Sequence, residues 1–590
     1  MIITEPVGPV KKSRVPNIST IAAVRLVIAL IVLLAVVRIL TEDRSRPQGF
    51  DEPAHVAAGM EWLQLHTYSL DPLHPPISRL AMAAPLFLSG ARLKEVFAQN
   101  PDFWGVGNSV LNQGSYLRNL SLAREGILPF LAILICAVFL WTRRRFDELT
   151  ALGAVALLLT LPIMLAFSSL AYTDMPAACI QIATFFLFAE WLDDPAWKNS
   201  TALAMLFGLA ILTKFTSLLY IPAGAGMIVV YRTLVQDSRH ESTSQKHGRK
   251  LALIALLSLL IIWAGYRFSV GRVDAVFHLT PANMPTLQHF PAPLRSIARS
   301  MIQSDWMIPA PSFVKGLSEA WVLNKSAPPA YLFEKHRNGG WWYFFLAEIL
   351  FKTPLAFLIL ATIGSVSLYR QRKHLNWKSL VPVVVIMTIL GLTTGVNTNY
   401  GLRHVLIIFP LLAIVAGCGA NYLWSGPHRW RLPARTLAGC LLAWQCTAAL
   451  RPRADSIAYF NELAGKDPSR IAVTGCDLDC GQDLLALADE LHRQQADHVS
   501  LAVWSSADLS RLGLPPFEVL KPFQASSGWI AVSVRAVREG SVMHESYPPG
   551  AFAWLDRYSP LKRVGTTIRL YHLPPVPTYQ AGTGRIPPHI

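Results

Sequence analysis

The sequence predicts a polytopic α-helical membrane protein of about eleven spanning helices, followed by an extracytoplasmic α/β domain. Three observations predict it. Charged residues make up 15% of the 590-residue chain and hydrophobic ones 52%, whereas a soluble domain carries roughly 25% charge. Apolar stretches of the length that crosses a bilayer, ~20 residues, recur between residues 21 and 450. Beyond residue 451 they stop, and short alternating runs replace them.

At the amino terminus, Lys11, Lys12 and Arg14 precede an apolar run over 21–40. That order resembles a secretory signal. The run is too long for one, however, and lacks a small-residue cleavage site, so it reads as a retained first span behind a cytoplasmic tail, 1–20. Further spans are expected at 120–142, 149–167, 174–192, 200–214, 217–234, 251–269, 341–368, 379–396, 402–424 and 434–450. The pair around "LAILTKFTSLLYIPAG" has a second reading as one broken helix. With the N-terminus in the cytoplasm, the inner loops begin at Arg143, Asp193, Tyr231, Tyr369 and Ser425, and four of these five are rich in Lys or Arg. Cytoplasmic loops collect such residues, and shifting the threading by one span would put them outside. The same loops carry much of the positive charge behind the formal +16 of the chain. Nucleic acid is not an expected partner, because no basic stripe interleaves with exposed aromatics.

This threading leaves two long outer loops, 41–119 and 270–340, attached to a membrane domain of 21–450. In the first, 54–65 carries apolar groups at helical spacing and is expected to lie flat at the membrane interface. Residues 77–90 are apolar but too short to span, so a second surface-lying or re-entrant segment is expected there. The second loop, with many prolines and aromatics, is expected to cap the same cavity. The tail, 451–590, is expected as a periplasmic domain of a protein in the cell inner (plasma) membrane. "RIAVTGC", "VSLAVWSS", "GWIAVSV" and "TIRLYHL" read as strands, and "QDLLALADELHRQ" as an amphipathic helix. Cys136, Cys179, Cys418, Cys440 and Cys446 fall in apolar runs and are expected to pack. Cys476 and Cys480, in "CDLDC", are either a disulfide in an oxidising compartment or two free thiols.

The unusual polar residues gather on the outer side of this threading. Asp51, Glu52 and His55 follow the first span, and "LDPLHPPISRL" adds Asp71, His74 and Arg79. Asp174 begins one span, Lys214 lies in an outer turn, and Arg403 and His404 stand at the outer start of another span. Taken singly, each has an ordinary explanation: Asp174 as a helix cap, Lys214 as an interfacial anchor. Together they bring carboxylates and cations to one outer cavity, which is expensive beside a bundle unless the groups are paired or functional. A carboxylate near an acceptor hydroxyl or amine can take its proton as it attacks. Lys and Arg can hold the phosphate of a leaving group. A cavity at the lipid–water boundary suits a lipid-phosphate donor, and such a donor needs neither a G-x-G-x-x-G nor a P-loop; neither is present. The expected chemistry is glycosyl transfer from a polyprenyl-phosphate sugar. The main rival is a lipid or solute transporter or flippase. It would place charges near the midplane and show paired broken spans in related halves; the charges here gather at the outer edge and no half-repeat is seen.

"FDEPAHVAAGMEWL", "HPPISRLAMAAP", "AYTDMPAA", "LTKFTSLL", "LFKTPL", "NYGLRHVLIIFPLL", "YFNELAG" and "DLDCGQDL" run in this order from about residue 50 to 485, and "FAWLDRYSPLKRVGTTIRLYHL" lies beyond them. In these stretches the chain resembles the bacterial phospholipid-carrier-dependent GT-C glycosyltransferases, related to the protein O-mannosyltransferases and the lipid A aminoarabinose transferase. The resemblance implies a GT-C-like membrane domain and transfer with inversion to a protein, lipid or glycan acceptor. The donor would carry a hexose or pentose on undecaprenyl phosphate or a similar carrier. It implies a catalytic base at Asp51 or Glu52, one acting as base and the other positioning it, and an orienting carboxylate at Asp174. Carrier-phosphate contacts fall on Lys214 and Arg403, then on His404 and Arg79. His55 and His74 are candidate metal or acceptor contacts. Some relatives carry a divalent metal and others work without one, so no cofactor is required and a metal is the secondary reading. The tail departs from the family: relatives often have Asn-Leu-Asp and then Trp before Gly-Gln-Asp, whereas this chain has Asp477-Leu478-Asp479 and then Cys480. A local disulfide fits that change.

Overall fold

The computed structural model describes residues 18–94, 102–235, 244–272, 307–426, 430–450, 456–543 and 545–575, with a few residues between 292 and 300. Most of the expected amino-terminal tail, and the middle of the second outer loop, lie outside the described residues.

Helix occupies every segment expected to span, from Ile18–Ser45 to Arg431–Ala449. Length and composition alone qualify fewer of them. Among the described residues, Tyr116–Arg145, Ser217–Val235, Gly248–Gly265 and Ile408–Ser425 are long and apolar enough to cross a membrane. The number rises from four to six if each of two bent pairs is one span. Proline stands at both bends. Pro162 opens the second half of Glu148–Leu159 plus Pro162–Ser168, which turns by 67°, and Pro354 separates Phe344–Lys352 from Leu355–Gln371, which turn by 114°. Proline removes a backbone donor and crowds the preceding turn, so the helix stops or kinks there. The "LTKFTSLL" stretch forms two helices, Trp197–Thr213 and Ser217–Val235, because Lys214 between them is extended (φ −161°, ψ 136°).

The first outer loop folds differently from its expectation. Glu52–Gln64 is covered by protein on all sides rather than leaving one face to lipid: residues 52–61 are all buried. The helix packs between Pro76–Leu88, the expected short apolar segment, and Phe103–Leu111. Its Ala54, Val56, Ala57, Ala58 and Met60 cover several faces, so the sequence supplies no wide polar stripe to leave in water. Gly59 permits close approach to Pro76–Leu88, since a Cβ there would stand 2.3 Å from the Arg79 carbonyl oxygen. The described end of the second outer loop, Pro311–Lys325, packs at Gly316 against Pro72 and Phe215. It therefore covers the ground between the first outer loop and the Lys214 turn.

In the tail, three of four expected strands form: Val499–Ala502, Gly528–Ser533 and Ile568–Leu573, with helix Leu484–Arg493 before them. They join Phe517–Val519 and Lys562–Val564 in one mixed five-stranded sheet. Val499–Ala502 runs parallel to both of its neighbours, and the other pairings are antiparallel. "RIAVTGC" is the exception. It forms 3₁₀ turns at Pro468–Arg470 and Thr474–Cys476, because Gly475 takes φ +68° and ends any extended run. Cys179 and Cys418 are buried as expected, while Cys136, Cys440 and Cys446 face outward.

Candidate functional site

The chain enters the site through "QGFDE", between Ile18–Ser45 and Glu52–Gln64. The two acids of this stretch have opposite surroundings. Glu52 is fully buried, and both of its oxygens are taken. Arg124 Nε donates to Oε1 at 2.8 Å and Nη2 to Oε2 at 2.7 Å, while the backbone N–H groups of Ala171 and Gly49 each donate at 2.6 Å. Four donors thus occupy the Glu52 carboxylate, and no lone pair is left over to receive a proton. Asp51 is 24% exposed, and its Oδ2 accepts a hydrogen bond from Arg403 Nη1 at 2.6 Å. Its own backbone N–H donates to the Tyr172 hydroxyl at 3.3 Å.

Arg403 joins this carboxylate to a second ion pair. It lies in the 3₁₀ turn Leu402–Val405, its guanidinium 5.0 Å from the Tyr172 ring centroid. Arg403 also lines a small cavity with Asp174, Gln181, Lys214, Thr216 and His404. Within it Lys214 Nζ donates to Asp174 Oδ1. Asp174 stands in the first turn of Asp174–Trp191, where the helix dipole favours a negative charge. Arg403 Nε has no hydrogen-bond partner among the described residues, so the guanidinium keeps a donor for a ligand.

The electrostatics follow from this pairing. Burial opposes charge on Asp51, yet Arg403, and after it His55 and His74, outweigh burial and hold the carboxyl below the ordinary aspartate value. Burial likewise opposes charge on Arg403, while Asp51 and Asp174 raise its pKa further. His404 goes the other way: burial, then Lys214 and Arg403, push it well below the ordinary imidazole value. It is a neutral ring, able to offer a hydrogen bond but not a charge.

Beside Asp51, Asp71 holds two histidines. Its Oδ2 lies 3.3 Å from His55 Nδ1 and 2.9 Å from His74 Nδ1. Burial opposes the Asp71 charge, but His74 and His55 prevail and keep its pKa below the usual range. One ligand atom from each of the three lies within 4.8 Å of the others. Two imidazoles and a carboxylate at such separations suit a borderline divalent ion, so the set fits a metal, with Asp71 as its carboxylate. Arg79 does something else than expected. It is buried, and Nη1 donates to the carbonyls of Leu70 (3.0 Å) and Asp71 (2.8 Å), which supports the turn carrying Asp71. It is not among the residues lining the Lys214 cavity.

Cys476 and Cys480 form a disulfide. Three participants were not singled out from sequence: Tyr172, Arg124 and Lys352. Tyr172 lies two residues from Asp174 in "AYTDMP", and Lys352 sits in "LFKTPL". A charge inside an apolar stretch was the available signal for Lys352. Its buried ammonium donates to the carbonyls of Ile457 (3.1 Å) and Tyr459 (3.3 Å) and to that of Asp477.

Residues 126–263, which include Asp174 and Lys214, match the family model of dolichyl-phosphate-mannose-protein mannosyltransferases. This match supports the GT-C resemblance drawn from the motifs. Among solved structures, the chain is similar to ArnT from Cupriavidus metallidurans bound to undecaprenyl phosphate, with 13% identity, a TM-score of 0.48, and 92% of this chain and 97% of that one covered. It is also similar to the archaeal oligosaccharyltransferase AglB from Archaeoglobus fulgidus in complex with an inhibitory peptide and a dolichol-phosphate (13% identity, TM-score 0.44, 85% and 62% covered). Both likenesses are weak, and the chemistry of the site is read from this chain's own residues. No curated protein matches the sequence.

Proposed function

We propose that this membrane protein is an inverting glycosyltransferase that moves a sugar from a polyprenyl-phosphate carrier to an extracytoplasmic acceptor. The carrying observation is the 2.6 Å pair of Asp51 and Arg403, linked through Arg403 to the cavity that holds Lys214 and Asp174. A base and a phosphate-binding cation are thereby adjacent, as the reaction requires. Asp51 is the general base, Arg403 and Lys214 hold the carrier phosphate, and His404 adds a neutral hydrogen bond. Asp174 orients Lys214. In the unliganded pair Arg403 occupies Asp51 and weakens it as a base. A carrier phosphate drawing Arg403 toward itself would leave Asp51 partly buried without its main cation, so its proton affinity would rise as donor binds. Asp51 then takes the proton of the acceptor hydroxyl or amine as that atom attacks the anomeric carbon. The carrier phosphate departs on the opposite face, toward Arg403 and Lys214, and the anomeric centre inverts. Phosphate is a good leaving group, so positioning and base catalysis matter more than acid catalysis.

No cofactor is needed for these steps. A divalent ion held by His55, Asp71 and His74 is a secondary reading, and bound there it would supply a Lewis acid beside the acceptor. The accompanying topology is eleven spans in the inner membrane with the N-terminus cytoplasmic, 1–20 preceding a membrane domain of 21–450 and a periplasmic domain of 451–590. The test incubates purified protein with a panel of undecaprenyl-phosphate hexoses and pentoses, together with a cell-envelope extract that supplies protein, lipid and glycan acceptors, and follows release of free carrier phosphate. Release with at least one donor that disappears in Asp51→Asn supports the reading; no release with any donor, or release unchanged in that variant, overturns it.

A further inference from the structure

We propose that the disulfide-closed loop 476–480 is a positioning clamp that holds Asp51 and Arg403 in register from behind; this rests on the roles proposed for that pair. The two residues are 352 positions apart in sequence, and the loop touches the segment of each. On the Arg403 side, Asp477 Oδ1 accepts the backbone N–H of Leu402 at 3.0 Å. Gly475 lies so close to the Tyr400 carbonyl that a Cβ would stand 2.0 Å from its oxygen. On the Asp51 side, the Tyr172 hydroxyl is 3.3 Å from Cys476 Sγ and 3.4 Å from Cys480 Sγ. That same hydroxyl accepts the Asp51 N–H at 3.3 Å, and the Tyr172 ring lies beneath the Arg403 guanidinium. Gly49 adds a second contact, its Cβ direction ending 3.2 Å from Cys480 Sγ. Tyr172 thus joins both sulfurs to both members of the ion pair.

The loop is built to be stiff. Cys476 takes φ +67°, a left-handed conformation that a side-chain-bearing residue keeps only where its surroundings over-determine it. Gln482 accepts the Cys480 N–H at 2.7 Å and donates to the Leu478 carbonyl at 2.8 Å, and Lys352 binds the Asp477 carbonyl. Cys476 is 4% exposed and Cys480 1%, so a dithiol in solution reaches the bond only after the loop opens. That favours a fixed positioning part over a thiol switch.

The test compares the full-length wild type with a Cys476→Ser/Cys480→Ser double variant and with Tyr172→Phe, which keeps the ring but removes the hydroxyl. Hydrogen exchange of amides 47–52 and 400–406 should quicken in both variants, while exchange in the sheet strands 499–502 and 528–533 stays as in wild type. Donor kcat/KM should fall ~10–100-fold in the double variant, as expected for a catalytic pair moved out of register, and less in Tyr172→Phe. Acceptor KM should stay within about twofold. The acid limb of the kcat/KM profile should move to higher pH, because Asp51 remains buried while its cation becomes loose. A loss of folded protein alone would not move that limb. The clamp is overturned if the two amide stretches exchange as in wild type, or if the acid limb and donor kcat/KM stay unchanged. If the wild type turns over no donor, the functional reading fails by itself, and the exchange result still decides the clamp.

Discussion

Two ion pairs start one residue apart on the same loop and serve opposite ends. Glu52 and Arg124 are 0% and 1% exposed, and two backbone amides complete the carboxylate's hydrogen bonds. Asp51 and Arg403 are 24% and 16% exposed, and Arg403 retains a buried N–H without a partner among the described residues. The first pair is saturated: it fixes where the loop leaves Ile18–Ser45 and has no capacity left for a substrate. The second is under-satisfied and reachable, which is the state in which a charge can change partners. The comparison teaches that charge and position in sequence do not tell two neighbouring acids apart, whereas their remaining hydrogen-bonding capacity does.

Substitutions separate the two pairs. The largest effect on turnover is expected from Asp51→Asn: sugar release should fall ~10²–10⁴-fold, the range for a lost general base, while the protein remains inserted and monodisperse. Near-normal turnover would remove Asp51 as base. Glu52→Ala should invert that pattern. Leaving Arg124 buried without its carboxylate should destabilise by about 3–5 kcal/mol, read as a lower thermal midpoint and a poor yield of folded protein. A folded but inactive Glu52→Ala would erase the distinction drawn here. Smaller again, Lys214→Ala or Arg403→Ala should weaken donor use ~10–100-fold, the worth of a hydrogen bond to a charged group, with acceptor KM little changed. Equal losses for donor and acceptor would argue against phosphate binding. The subtlest effect is in pH. The folded-state pKa of Asp51 is depressed, chiefly by Arg403 working against burial, so wild-type activity should persist into mildly acidic buffer and fall only as pH drops through that depressed value. In Arg403→Gln the burial remains and the cation is gone, so the acid limb should move to higher pH. No movement would mean that Arg403 does not govern Asp51.

Much of the site was legible before the fold was known. Asp51, Asp174, Lys214, Arg403 and His404 were singled out because ionisable groups at the ends of apolar segments are costly without a reason. Asp71 and His74 stood together in "LDPLHPP". The division of labour within "DE" was not legible, because neighbouring residues share every one-dimensional signal. It was decided by Arg124, 72 residues from Glu52, and by Arg403, 352 residues from Asp51. Arg79 shows the same limit from the other side: as a sequence position it matched a phosphate ligand, and local carbonyls claimed it. The cover over Glu52–Gln64 was hidden for a related reason, since periodicity marks apolar faces but not whether other helices will cover the remaining ones.

By itself the sequence determined the membrane class of the chain, the apolar helical segments, three strands of the tail and the stock of acids and cations available for chemistry. These follow from composition and spacing, which act through local hydrophobicity and backbone preference. The tertiary structure alone decided which acid is saturated and which keeps open hydrogen-bonding capacity, and that a loop closed by Cys476 and Cys480 stands behind the Asp51–Arg403 pair. Those outcomes depend on desolvation and hydrogen-bond partners supplied from distant parts of the chain, and only packing brings such partners together.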